Sequence, residues 1–175
     1  MMRHQRGVGL IEVLVSLFIL AIAVLGFSVL QVRALDASAE AAERTNAIMI
    51  ARDLAERIRV NRTQLGNYKT TVNNALGRTA RPGNAKCVLT DSRNTTIAVT
   101  TMCTQGELVT QDVKEVLIQA DQRGFQMVIA DCQGGTRQCI YIAWGDTTLT
   151  ATNVNACMRN GVYQNAARCF VMEAY

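Results

Sequence analysis

The chain has 175 residues, 49% of them hydrophobic, with 18 Lys and Arg against 14 Asp and Glu for a net charge of +4. That balance is too mild to mark a nucleic-acid binder, and the sole histidine, His4, leaves zinc only thiolates and carboxylates, so neither a metal nor a cofactor is expected. The length allows one domain plus an appendage, and residue types divide it: an apolar run and an alanine-rich charged pattern come first, whereas the six cysteines, Cys87, Cys103, Cys132, Cys139, Cys157 and Cys169, all come later.

From Val13 to Leu30 there are eighteen residues without a charge, enough for a membrane-spanning helix. Arg3 and Arg6 precede the run and Asp36, Glu40 and Glu43 follow it, which places the amino terminus in the cytoplasm and exports the rest. A secretory signal, cut at Ala21-Ile22-Ala23 or Ala37-Ser38-Ala39, and an uncleaved anchor both fit the run. Neither explains Glu12. A carboxylate at the mouth of an apolar segment costs a few kcal/mol unless paired, and no basic residue lies within one helical turn downstream.

Beyond Leu30 the pattern turns amphipathic: Leu35, Ala39, Ala42, Ile48, Ala51, Leu54, Ala55 and Ile58 recur at helical spacing. Glu40 with Arg44 and Asp53 with Arg57 stand acid-first at four-residue separation, which favours an exposed helical face. With no proline in this stretch, one helix is predicted from about Val8 to Arg62, about 80 Å long. Gly26 is its one candidate loosening point.

Residues 61–106 are rich in Asn, Thr, Gly and Arg. They read as an irregular connection with a short helix near Lys69–Leu76 and a strand at Thr96–Thr101. The loose basic cluster Arg78, Arg81, Lys86 and Arg93 lacks aromatics for base stacking and reads as a solvated loop. A second helix is predicted over Leu108–Gln122, closed by Gly124. Strands follow at Phe125–Ala130, Ile140–Trp144 and Cys169–Glu173.

Six cysteines in one region point to disulfides in an oxidising compartment, although six allow fifteen pairings. Cys132 and Cys139 flank a hairpin connection and form the first candidate pair; Cys157 and Cys169 flank Asn160-Gly161 and form the second. Cys87 with Cys103 then follows by elimination. Chemistry is poorly provided for. Asp112 and Glu115 sit at i, i+3 on what reads as a charged helix face, and Asp131 near Gly134 and Gly135 lacks both a P-loop lysine and regular acidic spacing. The expectation is a subunit or binding protein, not an enzyme.

Gly7-Val8-Gly9-Leu10-Ile11-Glu12 ahead of a long apolar helix resembles the class III signal of type IV prepilins. Val8 stands where most pilins carry phenylalanine, and Gly9 where Thr or Ser is usual. The resemblance implies cleavage after Gly7 by a prepilin peptidase and N-methylation of Val8. Glu12 would then pair with the amino-terminal ammonium of a neighbouring subunit. Arg6 to Val15, together with Ala51-Arg52-Asp53-Leu54-Ala55-Glu56-Arg57-Ile58-Arg59 and Asn61-Arg62, is similar to PilV-type minor pilins. The likeness is weaker in the head.

The implied fold is α+β: a long helix, transmembrane and then amphipathic, packed on an antiparallel sheet with disulfides. The implied division is a leader over 1–7, a transmembrane or filament-core half over 8–34, an amphipathic half over 35–62 and a periplasmic head over 63–175. The implied role is a minor pilin that helps to start pilus assembly, at or near the tip. Its implied partners are other minor pilins, the major pilin, the inner-membrane assembly platform and, as a further candidate, a tip adhesin. Two alternatives stay open: a pseudopilin of a type II secretion system, and an exported disulfide-rich binding protein.

Overall fold

The computed structural model describes residues 9–76, Pro82 and residues 103–174. The predicted strand Thr96–Thr101 and the basic cluster Arg78, Arg81, Lys86 and Arg93 lie outside them. The elements are helix α1 (Leu10–Val60), a 3-10 turn (Arg62–Gln64), helices α2 (Leu65–Asn74) and α3 (Gln105–Gln122), and strands β1 (Gln126–Asp131), β2 (Gln138–Ala143), β3 (Met158–Arg159), β4 (Val162–Tyr163) and β5 (Cys169–Glu173). By internal contacts the chain divides into two units, meeting between Ala42 and Glu43.

The first unit consists of the leading part of α1. No side chain in its apolar window is buried; Leu10, Phe18 and Leu30 are 80%, 67% and 66% exposed. The backbone bonds of the helix are internal, and Ser16 and Ser28 satisfy their hydroxyls within it by donating to the carbonyls of Glu12 (2.7 Å) and Val24 (2.8 Å). It runs through Gly26 without a break.

In the second unit α1 buries one stripe: Ala47, Ile50, Ala51, Leu54 and Ile58. The predicted stripe shared only its later members with this one. Leu35 is exposed and Ile48 only half-buried, because Ile48 lies about 100° around the helix from Ala47. After Val60 the N–H of Asn61 is shared between the carbonyls of Arg57 and Ile58, and the chain tightens into the 3-10 turn. Helix α2 starts at Leu65, earlier than the predicted Lys69. Gly66 falls in its first turn, where N–H groups have no intrahelical partner in any case.

Helix α3 also starts early, at Gln105 where Leu108 was expected. A capping box explains it: the Thr104 hydroxyl accepts from the Glu107 N–H (3.2 Å), and the Glu107 carboxylate accepts from the Thr104 N–H (3.0 Å). At the other end Phe125 N–H reaches the Ala120 carbonyl and Gly124 N–H the Asp121 carbonyl, with Gly124 at φ +72°. This is the glycine-terminated close that the sequence predicted.

The main sheet is antiparallel in the order β1-β2-β5, with Ile129 opposite Ile140 and Tyr141 opposite Val171. Strand alternation gives it two buried faces. Met127, Ile129, Ile140 and Ile142 pack into the core with Leu54, Ile58, Tyr68, Val72, Val109, Val113 and Val116. Val128, Tyr141 and Ala143 lie on the opposite face with Leu149, Val154, Cys157 and Cys169. The separate β3-β4 hairpin was not predicted. Its signal was the dipeptide Asn160-Gly161, both residues at positive φ (52° and 79°) as a primed two-residue turn requires.

One edge of the sheet is closed by a side chain. The Asn73 amide donates to the Ile129 carbonyl (2.9 Å), and its oxygen accepts from the Ile129 N–H (3.0 Å), so α2 supplies β1 with the two bonds a further strand would make. Removing them should destabilise the head by about 1–2 kcal/mol. Asn73→Ala is therefore expected to lower the urea midpoint of detergent-solubilised protein with an unchanged slope.

Candidate functional site

Gly7 and Val8, the expected cleavage and methylation positions, lie outside the described residues. Glu12 is described, in the first turn of α1, with its N–H donating to the Gly9 carbonyl (2.9 Å). The positive end of the helix dipole favours a carboxylate there. Among the described residues no side chain pairs with it. Around it Leu10, Ile11, Leu14 and Val15 are 80%, 70%, 55% and 50% exposed. The result is a single carboxylate set in an apolar surface that no described part of the chain covers.

The second cluster lies in the head. Arg57 bonds Asp53 one turn earlier on α1 (2.9 Å), as the sequence spacing predicted, and also Asp112 (2.8 Å) and Glu115 (2.9 Å) of α3. Tyr68 of α2 donates its hydroxyl to the same Asp112. Asp112 is buried, against the expectation that it and Glu115 form part of an ordinary charged face. Nothing in the pattern around Asp112 announced a partner fifty-five residues away.

Burial works against the Arg57 charge, but the hydrogen bonds to Asp53, Asp112 and Glu115 outweigh it and hold the guanidinium above its usual value. Burial, followed by the bond to Asp112, raises the Tyr68 phenol. The Gln111 amide and then Arg57 hold the Glu115 carboxyl below the usual range. The Arg57 guanidinium bonds both Asp112 and Glu115, so the two carboxylates join α3 to α1.

Disulfides join Cys132 to Cys139 and Cys157 to Cys169. By loop-closure entropy each contributes about 2–3 kcal/mol. Cys103 is also disulfide-bonded, and the expected pairing with Cys87 lies outside the described residues. Asp131 is engaged by Gln138 and then by Lys69 (3.1 Å), which together hold it below the usual carboxylate range. Its neighbouring glycines thus shape a hairpin loop. Among the described residues no group of three or more His, Cys, Asp or Glu side chains could hold a metal.

Two family models match the chain. One, the prokaryotic N-terminal methylation motif, matches residues 2–28; the other, a Tt1218-like model described as type IV pilin Tt1218, matches residues 29–114. The two matches adjoin, and Glu12 falls within the first. No curated protein and no solved structure matches.

The cluster makes head stability depend on pH in a way that can be worked out. A carboxyl held low in the folded state stabilises above its unfolded value and loses that contribution as pH falls through the folded one. A phenol held high stabilises below its unfolded value, and the contribution fades as pH rises past it. The wild-type head should therefore weaken both at acid pH through Glu115 and above about pH 10 through Tyr68. Arg57→Met strands the buried Asp112 and should cost about 2–3 kcal/mol at neutral pH while flattening the acid limb; thermal melts across pH check both.

Proposed function

We propose that this chain, which belongs to the type IV pilin family, is a minor subunit of a type IV pilus that helps to initiate assembly at or near the tip. The family is one of structural subunits, and the methylation motif with the apolar helix fits a membrane-anchored pilin. The observation that carries the reading is Glu12, a carboxylate with no side-chain partner among the described residues, on a helix whose large apolar residues from Leu10 to Leu35 are exposed. Such a surface is stable only in lipid or against other helices of its kind.

On this reading the subunit waits in the inner membrane with its amino terminus in the cytoplasm and its head in the periplasm, where the disulfides form. Prepilin peptidase removes residues 1–7, leaving Val8 as the methylated first residue and Glu12 as the fifth. The new ammonium of an adjoining subunit then meets Glu12 in the filament core, where low dielectric strengthens the pair. Other minor pilins and the major pilin are the partners along the helix. The assembly platform and, at the tip, an adhesin are the partners beyond it. The chain itself performs no catalysis.

Intact-mass measurement of membrane-extracted protein should find a chain beginning at Val8 and carrying one methyl group, and the full-length chain in cells without the peptidase. A start after Ala23 in both would overturn the reading. Glu12→Ala should be processed and exported normally yet recovered in sheared pili at a level reduced ten-fold or more. Undiminished recovery would remove the charge pairing from the account.

A further inference from the structure

A second charge marks the far end of the apolar run. No charged residue stands between Glu12 and Arg33, and α1 runs unbroken through both. Twenty-one residues of helix rise about 32 Å, close to the roughly 30 Å of a bilayer's hydrocarbon core. Helical side chains lean toward the helix amino terminus, so the two charges behave differently. With the amino terminus in the cytoplasm, Glu12 leans outward into water, whereas Arg33 leans back toward the lipid.

The surroundings of Arg33 agree with this. It borders a shallow apolar groove along α1 with Leu25, Ser28, Val29 and Val32, of which Leu25, Val29 and Val32 are 68%, 56% and 58% exposed. Among the described residues no side chain forms an ion pair or hydrogen bond with the guanidinium, although Asp36 lies only three positions on. Its aliphatic stem can thus lie along the groove while its planar head stays charged. A guanidinium held at that level faces phosphodiesters, which accept two parallel hydrogen bonds from it.

We propose that Arg33 binds the phosphate of an outer-leaflet phospholipid and so fixes the depth at which the subunit waits. This rests on the membrane-anchored reading above. The bond must be given up when the helix leaves the bilayer, so it opposes extraction while the Glu12 pair rewards it.

The test uses the processed full-length chain, with arginine labelled by carbon-13 at the guanidinium carbon, in vesicles of phosphatidylethanolamine and phosphatidylglycerol. Solid-state NMR then reads the loss of guanidinium signal on recoupling to lipid phosphorus. Wild-type protein should show an arginine dephased at contact distance, and Arg33→Gln should lose that component while still floating with the vesicles. Identical dephasing in the two proteins, or none in wild-type protein that floats, overturns the proposal. A wild-type chain that fails to float with vesicles overturns the membrane reading beneath it instead.

Discussion

A peptide chain can enter hydrocarbon only if every backbone donor and acceptor is satisfied within it, and α1 meets that demand over fifty-one residues. The other properties of the molecule follow from what is laid on that scaffold. From Val13 to Leu30 the helix presents apolar side chains in all directions, so its surroundings over that stretch must be apolar in all directions as well. Beyond Glu43 it presents a stripe of alanine, isoleucine and leucine, so one flank packs and the others meet water. The same hydrogen-bonded rod serves both environments because neither asks the backbone to change.

Within the head the helices are tied by charge as well as by packing. Arg57 reaches two carboxylates on α3 and one on its own helix, and Tyr68 of α2 shares Asp112 with it. A guanidinium suits this position because its planar fork serves several acceptors at once; a lysine would offer a single point charge. Burial raises the stakes. Remove one member and another is left desolvated without a partner, so a rearrangement of the helices that separates these groups is costly.

Much of this was legible in the residues, and the failures have physical causes. Elements whose signals are local came through: the apolar run, the Gly124 close of α3, the strands β1 and β2 to within two residues, and β5 to the residue. Boundaries were misjudged where a cap decides them. Thr104 and Glu107 spell a capping box three residues apart, and that signal would have placed the start of α3 correctly. Asn160-Gly161 likewise encodes a turn between strands too short to show a pattern. The Arg57 cluster was legible only in its i, i+4 half, because Asp112 looks like any helical aspartate until the fold brings α3 against α1. Glu12 stood out for the opposite reason: local sequence offers it no partner, and no described part of the fold supplies one.

The amide of Asn73 has a consequence for how copies of the head can meet. A bare strand border is a template on which any extended chain can lay down another strand, and growth by that route leads to domain swapping, aggregation or amyloid. By occupying the donor and acceptor of Ile129, one side chain withdraws the middle of that border from such pairing. Accidental polymerisation through β1 is thereby discouraged.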